Sequence, residues 1–315
     1  MNVAISHEMW GAYPAVRLSS EMVELLTVAE VGARVVSLRD LHRDREWLLG
    51  GEPPSEAEAT RWSSEDVVFS GRESFGWDEC LPSVAVCVDP LDADSPPLRD
   101  HGDQWGRAAY LAVDHAAGAV EHTWVAPRWS YRLTRRLSFG DQRTVLASYQ
   151  LMSLAERPLP ILWSQHPVFH LEPGTRLELP GVATAWRTSQ LGIELPEETS
   201  WPSVRTVHGR WLDLSTVHTA LGWAAKLYAQ AREPVTAVAQ GGARLTIDWD
   251  REFAPVLGIW LSYGGWPADS QPREQVALEP TTSAHDDLAS AQTAGQERIL
   301  GPGEERSWWV SMTLS

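Results

Sequence analysis

Cysteine is nearly absent: the 315 residues contain two, Cys80 and Cys87. Their spacing matches no common zinc pattern and too few histidines lie nearby to complete a site. Two buried free thiols are therefore expected, rather than a disulfide, a metal centre or a redox couple. Long apolar runs are missing too, and no stretch approaches the ~18 residues of a membrane span. The first thirty residues carry Glu8, Glu21, Glu24 and Glu30 and lack a basic segment followed by an apolar one, so no ordinary secretory signal is expected. Basic residues are in the minority, 26 against 42 acidic, for a net charge of −16. Such a surface repels nucleic acid and anionic membranes. The expectation is a cytoplasmic protein with neither as a partner.

Phe and Tyr are also scarce, at 5 and 6, whereas Trp numbers 17. An indole offers a flat apolar face and one donor, which suits both β-sandwich interiors and stacking on sugar C–H faces. Trp10, Trp186, Trp249, Trp260, Trp308 and Trp309 lie in strand-like runs and are expected in the core. Trp77, Trp105 and Trp266 stand beside Gly, Asp or His and are expected to line a cleft.

Short extended segments dominate the chain. Residues 34–38, 132–139, 144–154, 244–249, 256–263 and 307–314 are rich in branched and aromatic side chains and are separated by turn residues. Helical signals are few: 283–294 is one, and 223–232 fits either period. Residues 89–97 and 194–202 read as loops. No internal repeat or low-complexity tail is present. The pattern predicts an all-β fold, a large antiparallel sandwich with few short helices, formed as one domain over residues 1–315.

Near the C-terminus, VALEPTTSAHDDLASA places Glu279 between an apolar approach and Pro280, with Thr281, Thr282 and Ser283 offering N-cap hydroxyls to a following helix. This predicts a carboxylate held at a stiff strand-to-helix junction, the alternative being a surface glutamate that happens to precede a proline. Among the ten histidines, His101 and His166 are the most constrained by their neighbours. Gly102 permits a tight turn or a close ligand approach, and Pro167 stiffens the backbone after His166. His122, His208 and His218 lack such punctuation and are expected at the surface or satisfied in the core.

Four stretches in this order resemble the aldose 1-epimerase, or galactose mutarotase, family: GARVVSLRDL from Gly32, RDHGDQWGR from Arg99, SQHPVFHLEPG from Ser164 and ALEPTTSAHDDLA from Ala277. WAAKLYA from Trp223 and GPGEERSWWVSM from Gly301 add to them. The resemblance implies a galactose mutarotase-like β-sandwich with a carbohydrate cleft across one sheet and no metal or cofactor. It implies catalysis by His101, by His166 as general acid and by Glu279 as general base, interconverting the α and β anomers of a free sugar. An imidazole, with a reference pKa near 6.5, and a carboxylate suit that proton traffic.

The sequence departs from the family pattern in places. Gln165 precedes His166, where asparagine is usual, and His170 stands at a later polar position. Gly71-Arg72 resembles a family element, but the Asn-Arg pair that usually follows is replaced by Phe75-Gly-Trp-Asp-Glu79. Substrate contacts are expected from Arg72, Trp77, Asp78, Trp105, Gln165 and Trp266, with Glu79 as a further candidate beside Asp78; the alternative for Asp78 and Glu79 is that they cap a turn. A hexose-phosphate epimerase is an alternative and would need converging cations, for which Arg72, Arg99 and Arg107, or Arg132 and Arg136 on one strand face, are the candidates. A non-catalytic carbohydrate-binding or regulatory protein, and a lyase or hydrolase on the same sandwich, are the others. The expected partner is a small-molecule sugar, with a homodimer left open.

Overall fold

The structure, a computed structural model, describes residues 2–268 and 271–315. Two large antiparallel sheets dominate it, one of twelve strands and one of eight. The larger starts at the hairpin Ala4–Trp10 and Tyr13–Ser19 and continues through Val23–Val28, Arg34–Asp40 and Trp77–Cys80 to Ser164–Phe169. It then runs through Arg273–Thr281, Val256–Trp266, Trp223–Ala229 and Thr184–Leu191 to the edge strand Glu198–Ser200. That edge strand lies inside the segment expected to be only a loop.

The six expected strands all form, most of them a residue or more longer than the sequence signal, and the ambiguous 223–232 segment is the strand Trp223–Ala229. In the smaller sheet, Tyr131–Phe139 buries Tyr131, Leu133, Leu137 and Phe139 and turns Arg132, Thr134, Arg136 and Ser138 outward. This is the period of two that a half-buried strand requires. One apolar cluster draws on both sheets, from Leu25 and Leu278 in the larger to Val145 and Leu245 in the smaller.

Glu79 ties the sheets together. Its carboxylate accepts hydrogen bonds from Arg135 Nη1 (3.1 Å), the Tyr149 hydroxyl (2.8 Å), Trp77 Nε1 (3.1 Å) and Trp163 Nε1 (3.1 Å). A buried carboxylate needs that many donors to offset its lost hydration. Trp163 and Trp308 pack beside this knot, with Trp308 stacked on Tyr149 and on Phe253.

Two short helices are present among the described residues. Glu56–Trp62 carries no long periodic pattern, but Ser55 and Glu58 close a capping box at its start. The second helix is Leu288–Thr293, capped by Asp287, rather than 283–294. The hydroxyls expected to cap it are already engaged. Thr281 Oγ1 donates to the Trp163 carbonyl (3.0 Å), Thr282 Oγ1 accepts from the Trp163 amide (3.0 Å), and the Ser283 hydroxyl faces Gln296. Glu279 accordingly sits within a central strand, not at a junction. No helix among the described residues is long and apolar enough to cross a membrane.

Several tryptophan expectations are overturned by strand geometry. Trp186 and Trp309 point out of their sheets and are exposed, and Trp10 and Trp260 are half-buried. Trp77 and Trp105 are fully buried instead of lining a cleft. Cys80 is buried and Cys87 half-buried, both as free thiols.

Candidate active site

The cleft lies on the face of the larger sheet that points away from the smaller one. Side chains directly opposite one another on paired strands share a face. The pairings Ser164–Thr281 and Val168–Ala277 put His166 across from Glu279, and Glu279 in turn pairs with Gly258, Gly258 with Tyr228, and Tyr228 with Trp186. A single row therefore crosses five strands: His166, Glu279, Gly258, Tyr228, Trp186. Pro167 and Pro280, each without an N–H, flank the first two members of that row, where the ladder between their strands is interrupted.

His101 reaches the row from a loop. Its backbone adopts φ +56°, a conformation few non-glycine residues take. The loop is held by the His101 amide donating to the Val84 carbonyl (2.5 Å) and by Gly102 at φ +76°. A Cβ on Gly102 would meet the Leu81 backbone at 2.4 Å, so this glycine admits a neighbouring strand end, not a ligand. Phe69 stacks on the His101 ring at 3.7 Å, and the His101 and His166 rings meet edge to face at 5.1 Å. Asp100 pairs with His101 Nδ1 (2.7 Å). Burial alone would raise the Asp100 carboxyl, but the His101 contact and the Phe69 amide outweigh it and hold the group below its usual range.

Phe69, His101, His166 and Glu279 line a cavity of about 370 Å³, bounded also by Ser74, Gln275, Trp260, Trp266 and Asp286. That is the size of a small-ligand site. The Glu279 side chain is 1% exposed and His166 8%. Glu279 Oε1 lies 4.0 Å from His166 Nε2. Among the described residues neither Glu279 Oε1 nor His166 Nδ1 has a hydrogen-bond partner. Burial pushes the His166 imidazole well below its ordinary value of 6.5, and the neighbouring His101, Lys226 and Arg34 push it the same way.

The other Glu279 oxygen, Oε2, is held by the Lys226 ammonium in a buried ion pair. Sequence reasoning missed Lys226, although it is the only lysine in the chain; every other Lys or Arg position is arginine. The pair forms over Gly258, where a Cβ would sit 3.2 Å from Glu279 Oε2 and 3.3 Å from Lys226 Nζ. An ammonium on a slim stem enters that gap; a planar guanidinium is wider. Asp286 was missed as well. It accepts from the Tyr228 hydroxyl (2.6 Å) and the Thr188 hydroxyl (2.9 Å) at one wall of the cavity.

The structure brings His101, His166, Glu279 and Trp266 to one cavity and leaves five expected substrate contacts outside it. Arg72 is solvent-exposed and pairs with Glu58 at 2.9 Å. Trp77 and Gln165 belong to the buried inter-sheet network, Gln165 donating to the Tyr149 hydroxyl (3.0 Å). Trp105 is buried, with its indole N–H on the Asp100 carbonyl. Asp78 is buried against Arg34 (2.6 Å); burial pushes its carboxyl up against the pull of that arginine. Neighbouring Gly, Asp or His residues were the signal for Trp77 and Trp105, and the family resemblance and its departures for Arg72, Asp78 and Gln165; in each case a protein group, not an open cleft, faces the side chain. His170, at the end of its strand, is exposed.

The arginines considered for phosphate are likewise engaged elsewhere. Arg99 donates to the carbonyls of Ser64, Gly102 and Trp105, Arg107 pairs with Asp103 (2.9 Å), and Arg136 pairs with Asp114 (3.0 Å). None of these, nor Arg132, lines the cavity. No group of three or more His, Cys, Asp or Glu among the described residues is placed to hold a metal ion.

No protein-family model matches the sequence, and no curated protein does. Solved structures do match. A galactose mutarotase-like protein from Clostridium acetobutylicum superposes with a TM-score of 0.67 at 14% identity, over 100% of this chain and 99% of its own. A galactose mutarotase related enzyme from Lactobacillus acidophilus gives 0.63 at 14%, over 96% and 97%. A provisionally assigned aldose 1-epimerase from Klebsiella pneumoniae subsp. pneumoniae gives 0.71 at 13%, over 99% and 82%. The chain has the galactose mutarotase-like fold.

Proposed function

We propose that the protein is a sugar mutarotase, an aldose 1-epimerase acting on an unphosphorylated sugar by general acid–base ring opening. The observation that carries this reading is Glu279 Oε1: a buried carboxylate oxygen without a partner among the described residues, 4.0 Å from His166 Nε2, at the floor of a monosaccharide-sized cavity. A buried acceptor left open in this way is completed by a ligand donor.

In this reading the anomeric hydroxyl donates to Glu279 Oε1, and Lys226 keeps the other oxygen occupied so that the carboxylate presents one face. Glu279 removes the hydroxyl proton as the bond from C1 to the ring oxygen breaks. His166, protonated, delivers a proton to that oxygen, giving a free aldehyde and an open chain. Rotation about C1–C2 followed by the reverse transfers closes the other anomer, so no proton is gained or lost overall. The burial that lowers the His166 pKa makes its imidazolium a stronger acid and makes that form scarcer as pH rises. His101, fixed by Asp100 and Phe69, holds the ring oxygen or a neighbouring hydroxyl. Trp260 and Trp266 offer apolar faces to the sugar ring.

The test is polarimetry or exchange NMR on freshly dissolved neutral sugars, with hexose 6-phosphates included. Accelerated anomer exchange of at least one unphosphorylated sugar is expected. Unchanged equilibration across the panel would refute the reading, and a preference for the phosphates would overturn the substrate class.

A further inference from the structure

Beyond the cavity, the same face of the sheet carries a second concavity of about 630 Å³ that the mechanism does not use. A single partition divides the two. Ser189 and Asp286 line the catalytic side, whereas their chain neighbours Thr188 and His285 line the other. The partition is narrow, because Thr188 and Asp286 are joined directly by a 2.9 Å hydrogen bond.

The floor of this groove is Trp186, 40% exposed. It stands in the row that holds His166 and Glu279, three strands beyond Glu279, or about 14 Å at the usual inter-strand spacing. One pyranose ring cannot span that distance. Around the indole stand the exposed amides of Gln230 and Gln296. Glu297 adds a carboxylate oxygen, Oε2, closed off from solvent and without a hydrogen-bond partner among the described residues. Two arginines border the groove, each partly tied to backbone carbonyls. Arg298 donates to the carbonyls of Glu252 and Phe253 (2.8 Å each), and Arg187 Nε to that of Leu195 (3.1 Å). A flat exposed indole bordered by amides and hydroxyls, with guanidinium N–H groups at its rim, matches a polyhydroxylated ring.

We infer that this groove is a second carbohydrate subsite, and that the cleft takes short glycans whose reducing residue lies at Glu279 and whose next residues cross the Thr188–Asp286 partition onto Trp186. The direction of the glycan rests on the mutarotase reading; the existence of the subsite does not.

The experiment compares monosaccharides with neutral reducing di- and trisaccharides, such as maltose, lactose, cellobiose and maltotriose. Exchange NMR gives kcat and KM, and calorimetry gives binding of the corresponding methyl glycosides, which cannot mutarotate. At least one oligosaccharide is expected to bind better than its reducing-end monosaccharide. Trp186→Ala should raise its KM and Kd by about three- to tenfold, the scale of one aromatic contact, without changing its kcat. Trp186→Phe should recover most of the difference. The inference is overturned if no oligosaccharide binds better than a monosaccharide, if Trp186→Ala changes nothing, or if it weakens both sugar classes equally. Binding of methyl glycosides that depends on Trp186, without turnover of any sugar, would leave the subsite standing and remove the mutarotase reading.

Discussion

Replacing Gly258 by alanine isolates the geometric basis of the site, because one methyl group goes where the Lys226–Glu279 pair meets. The backbone at Gly258 is ordinary strand, so alanine is conformationally free to sit there. Its Cβ would lie 3.2 Å from Glu279 Oε2, 3.3 Å from Glu279 Cβ and 3.3 Å from Lys226 Nζ. The Glu279 Cβ is fixed by its strand, whereas the carboxylate and ammonium are side-chain ends and will yield. Crowding of this kind costs about 1–3 kcal/mol, and removing a glycine from the unfolded chain returns about 0.4–1 kcal/mol. The net destabilisation is therefore expected to stay below about 3 kcal/mol. The catalytic effect is larger, since displacing a reacting group by up to an ångström costs about a hundredfold. Exchange NMR at saturating sugar should show kcat reduced by about tenfold to a hundredfold, while thermal unfolding followed by circular dichroism stays cooperative. A folded Gly258→Ala protein with kcat within about twofold of wild type would refute the argument that this gap positions Glu279.

Lys226→Met should destabilise the fold by about 3–5 kcal/mol in urea titrations, because it leaves the Glu279 carboxylate buried without its cation. Adding Glu279→Gln should return part of that loss, and additivity of the two changes would argue against a direct pair. The pH dependence of stability follows from the buried histidines. His122 and His166 both have folded pKa values well below 6.5, so the unfolded chain takes up protons first as the pH falls. Their contribution is complete above pH 6.5 and is lost towards the folded values, at up to about 1.4 kcal/mol per pH unit for each group. Denaturant midpoints between about pH 4.5 and 6.5 should show the slope reduced in His122→Gln and His166→Gln, and unchanged slopes would contradict the assignment. If His166 acts as the protonated acid, kcat should fall as the pH rises through its lowered pKa, so that the decline is already under way below pH 6.5.

The sandwich was legible because runs rich in branched and aromatic residues between turn residues, such as 132–139, became strands, where the burial of Tyr131–Phe139 alternates. Alternation says little about strands covered on both faces. Ser164–Phe169 and Trp223–Ala229 are buried throughout, and these carry His166 and Lys226. His101, His166 and Glu279 could be found because glycine and proline mark their backbones. Trp77 and Trp105, read from their neighbours in sequence, and Asp78 and Gln165, read from the family pattern, were misplaced because neither signal reveals what packs against a side chain from a distant strand. Arg34 comes to Asp78 across 44 positions and Arg135 to Glu79 across 56. Lys226 did leave a signal, as a lone lysine among arginines, but pooling the basic residues concealed it.

The central claim is that Glu279 is a catalytic base and not merely part of a sugar-binding surface. Its most direct test is exchange NMR together with calorimetry on Glu279→Gln, using the sugar that the wild-type protein converts fastest. The account predicts that the variant still binds that sugar while its anomer exchange falls by about 10²–10⁴-fold. Wild-type exchange rates in Glu279→Gln would contradict it.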